Sequence, residues 1–187
     1  GGTYAWFTDS AKVNVNKIVS GSLKVGLEMK DGENWVDANG KTLKFINLDE
    51  NCEDGDLWAP GYSFRLPELR VVNNGNLTLK FKAYFSGANG DMKLLDVIEF
   101  NVKVDNGVET AIHGASTICN NVKLYSKSEN AEKPYYSVIN ITGTMDENAG
   151  NEYMNLSLDS MAITVVATQI NASEADYPSI EMKSISG

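Results

Sequence analysis

Apolar side chains recur at every second position in several short stretches of this chain. The alternation is clearest over residues 23–30 and 77–85. Because successive side chains of a strand point to opposite faces of a sheet, this pattern predicts strands with one buried and one solvated face. The same pattern predicts further strands at residues 98–104, 122–125, 135–142 and 161–168. No long stretch shows the repeat of an amphipathic helix.

Residues 57–85 are predicted to form the unit around which the other strands are arranged. The stretch opens with a turn at Pro60-Gly61 and then contains two strand-like runs. Residues 73–76, with the sequence NNGN, lie between these runs, and Asn and Gly tolerate the positive φ angles that close hairpins. The sequence therefore predicts a β-hairpin here, whose apolar face requires a second layer of structure.

The remaining strands favour an all-β fold. A second hairpin is predicted between Trp35 and Leu48, with its turn at Asn39-Gly40. Residues 105–121 are the least regular part, and within them residues 108–118 predict a helical turn or an irregular crossover. About eight to ten short strands separated by turns are typical of sandwiches and barrels. We expect a two-sheet antiparallel β-sandwich, jelly-roll-like, with short helical turns in its loops.

The 187 residues predict a single domain, 1–187, because no linker rich in Pro, Gly or Ser divides them. A hydrophobic content of 42% is sufficient for a sizeable core. At the ends of the chain, residues 6–19 predict an N-terminal arm or strand, and residues 171–187 predict a polar C-terminal tail. The apolar positions of the arm are Trp6, Phe7, Val13 and Val15.

The first residues predict export from the cell. Thr3 and Ala5 flank Tyr4 in the small-x-small pattern that precedes signal peptidase cleavage. We therefore expect residues 1–5 to be a remnant of the export signal, with a mature start near Trp6.

The net charge limits the partners of the protein. It is -9, and the basic residues are scattered along the strands, whereas nucleic-acid binding requires a clustered basic face. We expect no nucleic-acid partner. No apolar run approaches the roughly 20 residues of a membrane helix, so no membrane span is expected.

The two cysteines, Cys52 and Cys119, leave two alternatives open. A secreted chain can join such a pair in one disulfide, and two free thiols fit the sequence equally well. Neither cysteine belongs to a CxxC or Cys/His metal motif.

No motif of an enzyme is present, and we predict no catalytic residue and no cofactor. The single histidine, His113, cannot form a two-histidine zinc site, and no HExxH, GxSxG or Walker motif occurs. His113 with Cys119 is too little to indicate a thiol protease.

An acidic loop at residues 49–56 is a candidate calcium site, because clustered oxygen ligands suit a hard cation. Its candidate ligands are Asp49, Asn51, Glu53, Asp54 and Asp56. The spacing does not match an EF-hand, since Gly55 falls at the seventh position instead of the sixth. A solvated turn is the preferred interpretation, both here and for residues 146–148.

Aromatic side chains offer a candidate sugar-binding or base-binding surface. They are Trp35, Trp58, Tyr135 and Tyr136. Large aromatics at strand ends more often fill the core of a sandwich or its rim, and we prefer that interpretation.

Short motifs in order along the chain carry a resemblance to a known family. Residues 2–9 read GTYAWFTD, and residues 16–23 read NKIVSGSL. Residues 58–61 read WAPG, and residues 71–75 read VVNNG. The last predicted strand ends in Ala167-Thr168-Gln169. Together these segments resemble the TasA/camelysin family of bacterial secreted matrix proteins, although Tyr62 stands where the family usually has an acidic or polar residue.

The resemblance implies a jelly-roll fold, export through a dedicated signal peptidase, and assembly into extracellular biofilm fibres. In such fibres the N-terminal segment of one subunit completes a sheet of the next. For this chain it implies self-association through residues 6–19, with other matrix proteins as further partners.

Two other functions stay open. One is a cell-surface adhesin that binds a glycan or a host protein. The other is a metalloprotease of the kind described for some family members, which this sequence does not support because it lacks a histidine pair. An ordinary edge strand of a monomer is the alternative to a donated arm.

Overall fold

The computed structural model describes residues 5–112 and 117–179. Residues 1–4 of the predicted signal remnant, His113, and residues 180–187 of the predicted tail lie outside the described residues.

Strands dominate the described part of the chain. They are β1 (Val25–Asp31), β2 (Asn34–Asp37), β3 (Ile46–Asn47), β4 (Ser63–Arg65), β5 (Leu69–Asn73), β6 (Leu79–Ser86), β7 (Asn89–Gly90), β8 (Ile98–Val104), β9 (Thr110–Ile112), β10 (Thr117–Leu124), β11 (Tyr136–Met145), β12 (Leu158–Asp159) and β13 (Ala162–Gln169). Short 3-10 turns occur at Met92–Asp96, Asn151–Tyr153 and Glu174–Asp176. The predicted all-β class with short helical turns in the loops is confirmed.

The strands form two packed antiparallel sheets and one small two-stranded ladder. In the larger sheet, β11 pairs with β5 and then β4 along one side and with β8 along the other. This sheet continues outward through β1 and β2, through β3, and through β9. The smaller sheet has the order β10-β6-β13, and β12 pairs with β7. The two main sheets pack as a sandwich.

The core lies between the inner faces of the two sheets. Its fully buried side chains include Leu69, Val71, Leu79, Phe81, Phe85, Ile139 and Ile141. Each belongs to a position of the alternating pattern, so the period of two selects one face of each strand for burial. Burial of one such side chain contributes about 1.5–3 kcal/mol, which makes this apolar layer the main stabilising feature.

The prediction of a hairpin within residues 57–85 is wrong. Its two runs form β5 and β6, but β5 pairs with β1 and β11 whereas β6 pairs with β10 and β13. Residues 73–77, which we call the crossover, carry the chain from one sheet to the other. The apolar faces of β5 and β6 therefore meet across the core instead of lying side by side. Alternation cannot distinguish these arrangements, because each strand buries the same residues in both.

A buried asparagine holds the crossover. Asn73 is fully buried, and its side-chain Nδ2 donates to the carbonyl oxygen of Leu77 at 2.7 Å. Its Oδ1 accepts a hydrogen bond from the backbone N–H of Gly75 at 3.0 Å. The side chain thus satisfies backbone groups that a sheet ladder would otherwise pair.

The prediction of a hairpin around Asn39-Gly40 is also wrong. A turn is present, since Lys41 N–H donates to the carbonyl of Ala38 and Gly40 has a φ of 75°. The strands on its two sides do not pair, because β2 forms its hairpin with β1 and β3 pairs with β4. The turn residues at positions 31–33 close the β1–β2 hairpin instead.

The irregular segment predicted at residues 108–118 contains strands. Among its described residues, β9 pairs with β8 across a turn that contains Gly107, and β10 begins at Thr117. The helical turn expected here is therefore absent from the described residues. The apolar positions of β9 are too few for a visible alternation, because it is only three residues long.

Candidate assembly site

The N-terminal arm lies outside every described strand. Residues 5–24 carry no assigned secondary structure, and all of them are exposed. Phe7 is fully exposed, and Val13 and Val15 retain more than four fifths of their surface, at 87% and 85%. Trp6 and Ile18 are exposed as well. An exposed apolar segment of this kind is a candidate interaction site.

The arm leaves the body at a fixed point beside the crossover. The backbone N–H of Ser22 donates to Oδ1 of Asn76 at 2.6 Å, and the N–H groups of Asn76 and Leu77 donate to the carbonyl oxygen of Ser22. Gly21 lies so close to the Leu77 side chain that a Cβ atom there would meet it at 2.3 Å. The end of the sandwich that holds the crossover is therefore the end from which the arm departs.

Strand β13 is an open edge of the smaller sheet. In the described part of the chain it pairs with β6 alone, through an unbroken register from Ala162 opposite Ser86 to Gln169 opposite Leu79. Its eight residues, AITVVATQ, include no charge and no proline. Sheet edges usually carry such residues or bulges to prevent further pairing. This edge has none of these protections.

The other described edges are short or irregular. The pairing of β10 with β6 has two register shifts, and Asn121 within β10 has a φ of 51°. Bulges of this kind twist an edge away from new partners. In the larger sheet the outer strands are only two to four residues long. Strand β13 is thus the edge best suited to accept another strand.

An apolar groove opens between the sheets next to the first residues of β13. It has a volume of about 440 Å³. Leu27 and Leu43 line it from the side of the larger sheet, and Phe85 and Ile163 line it from the smaller sheet. An added strand beside β13 would cover this groove with its inward-facing side chains.

A larger apolar cleft of about 720 Å³ lies at one end of the sandwich. Trp58 and Met145 line it, and Leu57 and Met154, which are 73% and 62% exposed, also contribute to its lining. Phe45 and Met161 line both this cleft and the groove, so the two cavities are neighbours.

The cleft and the base of the arm lie at opposite ends of the sandwich. Tyr136, the first residue of β11, pairs with Val72 beside the crossover. Met145, the last residue of β11, lines the cleft. A ten-residue strand such as β11 spans about 30 Å, which separates its two ends by that distance. The arm therefore leaves one end of the body, and the cleft opens at the other.

The candidate calcium ligands do not converge. Asp49 Oδ1 accepts the backbone N–H of Asn51, and Asp56 forms an exposed ion pair with Lys44 at 3.5 Å. Asp54 accepts hydrogen bonds from the Tyr62 hydroxyl and, at 3.9 Å, from the Cys52 thiol. Within residues 5–112 and 117–179, no three acidic, histidine or cysteine side chains form a group that could hold a metal ion.

The contact with Asp54 gives Tyr62 a structural role. The hydrogen bond to the carboxylate holds the pKa of the Tyr62 phenol above its ordinary value, because ionisation would place two negative charges together. Tyr62 also follows the turn at Pro60-Gly61, where its N–H donates to the carbonyl of Ala59. The sequence offered no signal for this contact between Asp54 of the acidic loop and Tyr62, which precedes β4.

The candidate aromatic residues occupy two different environments. Trp58 stacks on Phe64 with ring centroids 4.1 Å apart and, half-buried, packs against the core cluster. On the outer face of the larger sheet, the Arg70 guanidinium lies between the rings of Trp35 and Tyr136. Its central carbon, Cζ, is 4.7 Å from the ring centroid of Trp35 and 5.0 Å from that of Tyr136. Core filling is thus the role of Trp58, and the other rings form a surface cluster.

Cys52 and Cys119 are both free thiols. Cys119 lies on β10 opposite Ala83, and Cys52 lies in the acidic loop. Burial raises the pKa of the Cys119 thiol to about 11.

These features define an all-β sandwich protein with an exposed apolar arm and an unprotected sheet edge. Compared with models of known protein families and with curated protein sequences, the chain matches none. Among the described residues, no helix is long and apolar enough to cross a membrane.

Proposed function

We propose that this protein is a secreted structural protein, a subunit of extracellular matrix fibres of a bacterial biofilm. Each subunit donates its arm, residues 6–19, as an additional strand to the sheet of a neighbouring subunit. The observation that carries the proposal is the presence in one chain of an exposed apolar arm and an eight-residue uncharged edge, β13.

Strand addition provides a physical reason for association. The outward N–H and C=O groups of β13 have no strand partner in the described chain, and an added strand would pair with them. Each backbone hydrogen bond contributes about 0.5–1.5 kcal/mol net. Burial of Val13 and Val15 in the groove adds the larger apolar contribution.

The positions of donor and acceptor favour an open filament over a closed dimer. The arm leaves beside the crossover, and the groove and cleft open toward the opposite end of the body. Contacts between two different surfaces continue from subunit to subunit unless a rotation closes the ring. The resemblance of residues 2–9 and 16–23 to the TasA/camelysin family supports the extracellular matrix as the location of such filaments.

Electron microscopy of two matched chains tests the proposal. A chain that starts at Trp6 is expected to form filaments over time, and a chain that lacks residues 6–19 is expected to remain monomeric. Val13→Ser with Val15→Ser should slow assembly, whereas Asn14→Ser with Asn16→Ser should not. Monomers from the intact chain, or filaments from the shortened one, would contradict the proposal.

A second candidate function, a cell-surface adhesin, is supported by the aromatic cluster around Arg70. A cleft of about 520 Å³ adjoins it and is lined by Tyr135, Tyr136 and Lys133. Saturable binding of a polysaccharide that Tyr135→Ala and Tyr136→Ala abolish would favour this function. Lack of binding to a panel of bacterial and host glycans would exclude it for those ligands.

A further inference from the structure

We propose that the arm of a second copy lies antiparallel to β13, with Val13 opposite Val165 and Val15 opposite Ile163. This inference rests on the proposed function and specifies the direction and register of the donated strand. It also assigns the 720 Å³ cleft as the place where the two bodies meet.

The direction follows from the two ends of the sandwich. In a head-to-tail filament, the crossover end of the donor faces the cleft end of the acceptor. The base of the arm then enters at Met161 and Ala162, which lie beside the cleft, and the N-terminus extends toward Gln169. The arm consequently runs against the direction of β13. This direction matches the rest of the smaller sheet, in which every described pair is antiparallel.

A parallel arrangement would require a different contact between the bodies. The arm would then enter beside Gln169, which pairs with Leu79 next to the crossover. The crossover ends of both subunits would face each other, and the cleft would remain uncovered. The antiparallel direction covers the cleft and leaves the crossover end free to donate the next arm.

The register follows from which residues of β13 face the core. Ile163, Val165 and Ala167 pack on the core cluster. An arm that continues this inner face must place small or aliphatic side chains opposite them. In the arm, Ala11, Val13 and Val15 are the alternating set that does so. The match is Val15 with Ile163, Val13 with Val165 and Ala11 with Ala167.

The other face of the arm carries polar side chains in this register. The residues between the apolar positions of the arm are Ser10, Lys12 and Asn14. They fall opposite Thr168, Val166 and Thr164, on the face that points away from the core. A shift of the arm by two residues would place either Asp9 opposite Ala167 or Lys17 opposite Ile163, within the paired length of β13, where an unpaired charge is costly. In the proposed register Lys17 lies opposite Met161, which precedes the first residue of β13.

The base of the arm then reaches the cleft. Beyond Lys17 in this register, Ile18 and Val19 extend past Met161 toward the cleft residues Leu57 and Met154. Four of these apolar side chains are largely exposed in the single subunit: Ile18, Val19, Leu57 and Met154. Their contact would bury surface that the isolated molecule leaves in water.

Charge favours the same partner. The arm contains Lys12 and Lys17 against one carboxylate, Asp9, whereas the whole chain has a net charge of -9. A mildly basic segment is therefore attracted to an acidic second copy of the same chain.

Disulfide trapping between two different copies tests the register. Both copies carry Cys52→Ser and Cys119→Ser. The acceptor lacks residues 1–19, which belong to no described strand, and carries Thr164→Cys, and the donor carries Asn14→Cys. Mild oxidation is expected to yield a covalent heterodimer at least tenfold faster than with Lys12→Cys or Asn16→Cys in the donor. Equal or faster trapping by either shifted donor would overturn the register.

A second acceptor position tests the direction. With Thr168→Cys in the acceptor, Ser10→Cys in the donor should be trapped, whereas Asn16→Cys, which faces this position in a parallel arrangement, should not. Preferential trapping of Asn16→Cys would overturn the direction and leave arm donation intact. Failure of donor and acceptor to associate at all, measured by sedimentation, would instead overturn the proposed function.

Discussion

The backbone N–H of Ser22 donates to the side-chain Oδ1 of Asn76 at 2.6 Å, across 54 residues of sequence. This bond fixes the base of the arm to the crossover while the arm itself remains exposed. Substitutions can therefore alter the attachment of the arm without altering the core of the sandwich.

Asn76→Ala is expected to release the base of the arm without unfolding the sandwich. The lost hydrogen bond should lower the free energy of unfolding by about 1 kcal/mol. Amide hydrogen exchange at residues 21–24 should accelerate, because the N–H of Ser22 loses its acceptor. Asn74→Ala, at another exposed position of the crossover, is the matched control, and equal acceleration in both variants would contradict this prediction.

Asn73→Ala is expected to destabilise the whole domain. The side chain is fully buried and bonds to Leu77 and Gly75, so its removal leaves backbone groups of the crossover unpaired in the interior. The free energy of unfolding, measured by urea titration, should fall by about 2–3 kcal/mol. Asn74→Ala should change it by less than about 0.5 kcal/mol. A loss below 1 kcal/mol for Asn73→Ala would mean that water replaces the amide.

The strands with one buried face were predictable from the sequence, and their partners were not. Leu27 and Met29 of β1, and Phe100 and Val102 of β8, follow the alternation that burial on one side requires. The same alternation in β5 and β6 suggested a hairpin, although the two strands belong to different sheets. The deciding residue is Asn73, whose burial is a tertiary property that no local pattern records.

The candidate site was only partly predictable for a similar reason. The apolar arm was visible in the sequence because Trp6, Phe7, Val13 and Val15 precede the first regular strand. The open edge of β13 was not visible, because an edge strand and a central strand can have the same residues. The acidic loop shows the converse, since its carboxylates form contacts with Lys44 and Tyr62 that their spacing did not indicate.

Alkaline pH is expected to destabilise the fold through Cys119. The folded-state pKa of its thiol is about 11, above the ordinary value of 9.0, so the folded protein favours the neutral thiol. Stability should be unaffected by this group below pH 9 and should fall as the pH rises toward 11. The loss at pH 11 is on the order of 2–3 kcal/mol. Urea titrations of the native chain and of Cys119→Ala at pH 8 and pH 10.5 measure it.

The control for this prediction compares the loss of unfolding free energy between the two pH values in the native chain with the loss in Cys119→Ala. Cys119→Ala should lose less stability than the native chain between the two pH values, since other groups titrate equally in both. Identical losses would show that Cys119 does not contribute.

Glu174→Gln is expected to loosen the segment that follows β13. The Lys82 ammonium group is largely buried on the outer face of the smaller sheet and forms an ion pair with Glu174. Tyr177 lies over the same ammonium at 4.7 Å. Removal of the exposed carboxylate should cost about 1–2 kcal/mol, because Lys82 keeps its burial without its countercharge. Faster proteolysis after residue 170 and a lower midpoint of urea unfolding would indicate this loss of stability.

The matched control for Glu174→Gln is Glu129→Gln, at an exposed loop position. This substitution should leave both measurements unchanged. A change of the same size in both variants would indicate an effect of net charge instead of the pair with Lys82.

The irregular pairing of β10 has a consequence for polymer growth. Because the bulges of β10 leave β13 as the regular edge of the smaller sheet, each subunit of the proposed filament has one arm and one acceptor edge, and the filament has two unlike tips. One tip would present a loose arm, and the other a vacant β13. Copies without an arm would cap the first tip, and a free peptide of residues 6–19 would cap the second, so fibre length could be controlled independently at each tip.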